Sequence, residues 1–107
     1  VTLAKPENLA IDLPLERVAA VCHRYGVEEL RVFGSALRED FCPESDVDFL
    51  VSFEDGELGP WMSKLTAVER ELAALLGRRV DLVPMESVKW VIRDRVMGES
   101  RLVYANR

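Results

Sequence analysis

Cysteine is scarce in this chain: the two present, Cys22 and Cys42, do not make a disulfide framework. That scarcity fits a reducing, cytoplasmic compartment. Cys22 falls on the apolar side of a predicted helix and reads as core, whereas Cys42 reads as a bystander in a loop. No apolar run approaches transmembrane length and no signal peptide is visible, so a membrane is not expected as a partner. Repeats and low-complexity segments are absent too. Positive charge is in short supply. Fourteen Lys and Arg stand against nineteen Asp and Glu, a formal net charge of -5. Phosphate backbones repel such a surface, so direct nucleic-acid binding is not expected. The first residue is Val1 rather than methionine, which fits a chain with some N-terminal residues missing.

What is there suffices for one domain. The 107 residues are 49% hydrophobic and 31% charged, enough for a core and a well-charged surface. A single domain is expected over 1–107, with 1–11 a loose N-terminal arm that shows no clear period. Leu15, Val18, Cys22 and Tyr25 then recur at helical spacing, with Pro14 at the favoured first helical position and Gly26 as the stop. A strand over 29–33 ends at Gly34. A short turn or helix follows over 36–40, then a loop over 41–45. Residues 46–53 read as the second strand. Two glycines and a proline make 54–60 the clearest loop. Trp61, Leu65, Val68, Leu72, Leu75 and Leu76 mark an amphipathic helix stopped by Gly77. A third strand over 79–83 is ended by Pro84. A helix over 86–97 carries Val88, Ile92 and Val96 on one predicted core stripe. Residues 102–104 suggest a short last strand.

This order predicts an α/β fold, a small mixed sheet flanked by helices. The first two strands are separated by a short excursion and are expected to be antiparallel neighbours. A full helix joins the second and third, so those two are expected to be parallel through a right-handed crossover.

The densest chemistry lies between Val32 and Phe53. Asp46 and Asp48 are one residue apart in a strand and so project from one face. They are either the wet face of a half-buried strand or a cation site; Mg²⁺ is held by one or two carboxylates plus substrate phosphates. Asp81, in the otherwise apolar run 80–83, should lie beside them. It is either a third metal-site carboxylate or the partner of Arg78, Arg79 or Arg31, because an unpaired buried charge is costly. Gly34 allows close backbone approach, and Ser35 opens a helix-like turn whose hydroxyl and N–H groups suit phosphate. An ordinary N-cap serine would look the same. Arg38 could reach a triphosphate from that turn, or be a solvated surface arginine.

The pattern Gly34-Ser35, ten residues, Asp46-x-Asp48, and Asp81 in a following strand resembles the DNA-polymerase-beta-like nucleotidyltransferase superfamily. It looks most like the minimal nucleotidyltransferase (MNT) family. The segments 33–38, 45–51 and 79–83 carry the resemblance, which extends from about Asp12 to Tyr104. Glu39 departs from it, standing where many relatives have glycine. The resemblance implies a polymerase-beta-like fold and two Mg²⁺ ions that support transfer of a nucleoside monophosphate to a hydroxyl, with release of pyrophosphate. It implies that Asp46 and Asp48 bind metal and that Asp81 completes the site toward the acceptor. Gly34 and Ser35 would cradle the triphosphate. It further implies an antitoxin that moves AMP from ATP onto a tyrosine of a HEPN ribonuclease toxin. Two other readings stay open: an antitoxin that neutralises its partner by contact alone, and a nucleotidyltransferase for a small molecule such as an aminoglycoside. Larger relatives carry an acceptor-binding domain for which this chain has no room, so something else is expected to present the hydroxyl, which counts against the small-molecule reading. Trp90, off the predicted stripe, is the better candidate for a partner-facing residue; Trp61, at a helix start, reads first as ordinary packing, with the interface as its alternative.

Overall fold

The computed structural model describes residues 1–6, 9, 11–37 and 46–106. Its sheet has five strands: β1 (Thr2–Leu3), β2 (Val27–Phe33), β3 (Val47–Phe53), β4 (Val80–Pro84) and β5 (Arg101–Ala105). Among the described residues three α-helices accompany them: α1 (Leu15–Arg24), α2 (Ser63–Leu76) and α3 (Trp90–Glu99). The spatial order is β1-β5-β2-β3-β4. Only β3 and β4 run parallel; β2–β3, β2–β5 and β1–β5 are antiparallel. The mixed α/β sheet and the expected pairing of its first three long strands are therefore present.

The two faces of the sheet differ. Along β3, Val47, Phe49, Val51 and Phe53 enter the main core. There they meet Val18 and Cys22 of α1 and Leu65, Val68 and Leu72 of α2. Leu30 and Val32 of β2, Leu82 of β4 and Val103 of β5 extend this layer. The alternate residues Asp48 and Ser52 face the other side and are half-buried, with fully buried Leu50 between them. One dry face and one more open face is the arrangement that strand alternation produces when α1 and α2 pack on a single side.

The N-terminal segment, expected to be a loose arm, is partly ordered: Thr2 and Leu3 pair with Ala105 and Tyr104, extending the sheet by one short strand. Pro14 sits at the N-cap of α1 rather than inside it, and its carbonyl accepts the Val18 N–H at 3.0 Å. The expected helical stop is Gly26, at φ +69°. Leu15, Val18 and Cys22 share the inward side of α1, with Cys22 fully buried.

Two expectations about helices need correction. Trp61 is not packed at the start of α2 but wholly exposed. Trp61 and Met62 both take left-handed backbone angles, φ 55° and 59°, within a 3₁₀ turn over Pro60–Met62. The Leu58 carbonyl takes up the N–H groups of Lys64 and Leu65 at 2.9 and 3.3 Å. The helix therefore starts at Ser63 and the indole is turned away from its inner stripe. The second correction concerns α3. Val88 is extended, at φ -71° and ψ 125°, so it falls outside the helix. The Arg93 guanidinium donates to its carbonyl at 3.1 Å. No residue of α3 is buried, and Ile92 is 45% exposed, so Val88, Ile92 and Val96 form no core stripe. Trp90, Val91 and Ile92 are consecutive, and three adjacent apolar positions point around a helix rather than down one side. The expected loop over 41–45, with Cys42, lies outside the described residues.

Candidate active site

The site begins with β2 ending in a glycine. Gly34 has φ +77°, and a Cβ placed there would lie 2.5 Å from Asp48 Oδ2. Real Cβ atoms do not approach that closely, so the carboxylate of Asp48 occupies the volume a side chain would need. Phe33 and Asp48 are register partners across β2 and β3. The β2 terminus and the first half of β3 therefore meet at one corner of the open face. Gly34–Leu37 forms the expected short turn, as a 3₁₀ helix. Ser35 is its second residue, so its backbone is placed immediately beyond the Gly34–Asp48 contact. Arg38 lies outside the described residues.

Asp81 is the register partner of Asp48 across the parallel β3–β4 pair. Registered residues of neighbouring strands share a face, their backbones about 4.8 Å apart. The expected juxtaposition is thus present. Its expected burial is not: Asp81 is exposed, because β4 is the edge strand. Two of the arginines proposed as its structural partners are engaged elsewhere. Arg79 Nε lies 3.3 Å from Asp46 Oδ1, and Arg31 Nη1 lies 3.0 Å from Glu29 Oε2. Asp46 immediately precedes β3, and its side chain is 46% exposed.

Among the described residues no three His, Cys, Asp or Glu side chains stand close enough together to hold a metal ion by themselves. The donor set is instead a registered pair, Asp48 and Asp81, with Asp46 two residues away and held by Arg79. Mg²⁺ suits such a set, since it favours oxygen ligands and takes part of its shell from water and substrate phosphates. Glycine at position 34 leaves the Asp48 carboxylate room on that side. The residues present therefore fit a divalent, phosphate-associated cation.

A cleft of about 390 Å³ opens at this corner, lined by Phe33, Gly34, Asp48, Ile92, Arg95, Val96 and Glu99. The α3 residues were not legible as site residues. Ile92 and Val96, expected in the core, form its apolar wall. Arg95 and Glu99 form an ion pair at 3.4 Å. Their spacing of four is visible in the sequence, but nothing there places the pair over Asp48. Ser100 anchors this wall. It is 2% exposed, accepts a hydrogen bond from Arg31 Nε at 2.6 Å, and donates to the Met97 carbonyl at 2.7 Å.

Comparison with known proteins finds nucleotidyltransferases. A family model described as a nucleotidyltransferase domain matches residues 16–103. A protein adenylyltransferase MntA of Thermococcus cleftensis is 46% identical over 76 residues, 71% of this chain and 74% of that one. A solved protein assigned to the minimal nucleotidyltransferases superposes with a TM-score of 0.66 at 35% identity, covering 80% of this chain and 85% of that one. A toxin–antitoxin crystal structure with AMP-PNP shares the fold, with a TM-score of 0.66 at 20% identity over 89% of this chain and 76% of that one. So does an MNT antitoxin in complex with a tri-AMPylated HEPN toxin of Shewanella oneidensis, with a TM-score of 0.60 at 20% identity over 86% of this chain and 70% of that one. No helix among the described residues is long and apolar enough to cross a membrane.

Proposed function

The chain belongs to the nucleotidyltransferase domain family, and on that premise we propose that it is a protein adenylyltransferase. In this reading it moves AMP from ATP onto a tyrosine hydroxyl of a HEPN ribonuclease toxin and thereby acts as an antitoxin. The observation that carries the reading is the corner where Gly34 yields its side-chain volume to the Asp48 carboxylate while Asp81 stands in register beside it. The relatives lend support: the similar Thermococcus protein is an adenylyltransferase, and the Shewanella toxin bound by an MNT antitoxin is AMPylated.

The reaction joins the acceptor oxygen to the α-phosphorus and breaks that phosphorus's bond to the bridging oxygen, so pyrophosphate leaves. Asp46, Asp48 and Asp81 would hold Mg²⁺, two ions in all, which stabilise charge on the attacking and leaving oxygens when bound. The protein's own part is mostly positioning. The Gly34–Leu37 turn directs backbone N–H groups, including that of Ser35, toward the phosphates. Asp81, exposed at the sheet edge, faces an incoming acceptor and takes the hydroxyl proton. The protein acceptor is brought by surface contact, for which the exposed run Trp90, Val91 and Ile92 beside the cleft is the candidate.

The test is incubation of the protein with Mg²⁺, a cognate HEPN protein and ATP labelled in turn on the α- or γ-phosphate. The α-label should become covalently attached to the HEPN protein and be lost when the acceptor tyrosine is changed to phenylalanine. Attachment of the γ-label, or no labelled protein with any of the four nucleotides, would overturn the proposal. Neutralisation without labelling would identify an antitoxin that acts by contact alone.

A further inference from the structure

The cleft beside Asp48 contains one cation among its described lining residues, and that cation belongs to a helix that contributes nothing to the core. We propose that Arg95 is a nucleotide-phosphate contact, and that Glu99 holds it in place until the phosphates displace it. The inference rests on the nucleotidyltransferase reading of the same site and adds a binding residue to it.

Three observations support it. Charge comes first. A polyphosphate entering this corner meets Asp48 and Glu99 on the cleft wall, in a chain of formal net charge -5. Bound cations offset part of that repulsion, and the Arg95 guanidinium on the α3 wall of the cleft offsets more. Arginine suits the task because its planar fork matches phosphate oxygens.

The Arg95–Glu99 pair does little for its own helix. An acid four residues N-terminal to a base is the favourable order, and this pair is reversed. Glu99 is also the last residue of α3, where the helix dipole disfavours negative charge. Both side chains are largely exposed, 80% and 64%, so water screens their attraction. Such a pair is readily exchanged for a phosphate carrying more charge.

Placement is the third observation. Arg95 shares its helix face with Ile92 and Glu99, at spacings of three and four, and all three line the cleft. The end of this helix is tied to the sheet through Ser100 and Arg31. Arg95 is thus held over the open face by a polar anchor, with no core packing to account for its position.

The experiment is calorimetric titration of the intact protein with Mg·ATP, comparing wild type with Arg95→Ala, Arg95→Lys and Glu99→Gln. Arg95→Ala should weaken binding about tenfold, equal to about 1.4 kcal/mol. Arg95→Lys should recover part of the loss, since charge is kept but the fork is not. Glu99→Gln should tighten binding, because it removes both the competing partner and a repelling charge. Adenosine, which has no phosphate, should bind wild type and Arg95→Ala alike. Because α3 buries no side chain, all three variants should melt with wild type. Equal Mg·ATP affinity in wild type and Arg95→Ala would overturn this proposal and leave the nucleotidyltransferase reading standing. Glu99→Gln weakening ATP as much as Arg95→Ala would also overturn it, by showing the pair to be structural. A wild-type protein that binds no nucleoside triphosphate would remove both.

Discussion

Replacing Gly34 with alanine isolates the contact on which the proposed site depends. Two costs arise. An L-residue at φ +77° is held in the left-handed region, at about 1–2 kcal/mol. The new Cβ also lies 2.5 Å from Asp48 Oδ2, so the carboxylate must rotate away, at about 0.5–1.5 kcal/mol for an off-rotamer side chain. The sum, roughly 1.5–3.5 kcal/mol, is less than the roughly 5–15 kcal/mol stability of an ordinary domain. Gly34→Ala should therefore fold. Its activity should suffer far more, because a carboxylate displaced by about 1 Å from its working position can cost on the order of 100-fold in rate. Gly26→Ala provides the control. Gly26 has φ +69° and nothing within 4 Å of a Cβ, so that variant bears the backbone cost alone. The assay is the initial rate of α-label transfer for both variants, beside urea denaturation. Both should lose stability, and only Gly34→Ala should lose activity. Equal transfer rates in the two variants, or a Gly34→Ala protein as active as wild type, would refute the assignment of Asp48.

Asp46→Asn and Asp48→Asn should each reduce transfer by about 100-fold or more, the scale of losing a charge-stabilising group, while circular dichroism stays native. Asp81→Asn should do the same with a stability change within about 0.5 kcal/mol, because Asp81 is exposed; a large fall in melting temperature with activity intact would return it to a structural role. Trp90→Ala should weaken HEPN binding by roughly 30-fold, or about 2 kcal/mol, on a surface-immobilised partner while leaving Mg·ATP affinity unchanged; unaltered partner affinity would exclude this surface. Burial pushes the Cys22 thiol from 9.0 up to about 12. Its contribution to stability is therefore complete below pH 9 and declines as pH rises from 9 toward 12, where the unfolded thiol ionises and the folded one does not. In a Cys42→Ser background, urea denaturation should show stability falling over that window by at most about 1.4 kcal/mol per pH unit more steeply than in the same background with Cys22→Ala.

Strands β2 to β5 and the Asp48–Asp81 register were legible because alternation and crossover length are local properties of the chain. Val47, Phe49 and Val51 alternate with Asp48 and Leu50, and one helix between β3 and β4 dictates a parallel pair. Gly34 was legible as a turn, but its collision partner was not, since that depends on a contact fourteen residues away. The errors have physical causes. Trp61 fits the α2 period in sequence, yet Pro60 and two left-handed residues turn it outward. Val88, Ile92 and Val96 recur at helical spacing and so suggested a core stripe. Their surroundings are set by Ser100 and Arg31, a polar contact across sixty-nine residues that no periodicity encodes. Asp81 sits in an apolar run that reads as buried, but edge position is a property of the whole sheet.

The same isolation of α3 has a dynamic consequence. A helix that buries no side chain can unwind while β2 and β3 remain intact, so its opening free energy sits near the low end of the range within a folded domain. Its amides should exchange with deuterium long before those of the central strands. A ligand that grips Arg95 would close that local opening, and protection would appear along a single ten-residue helix while the sheet's exchange stayed as it was.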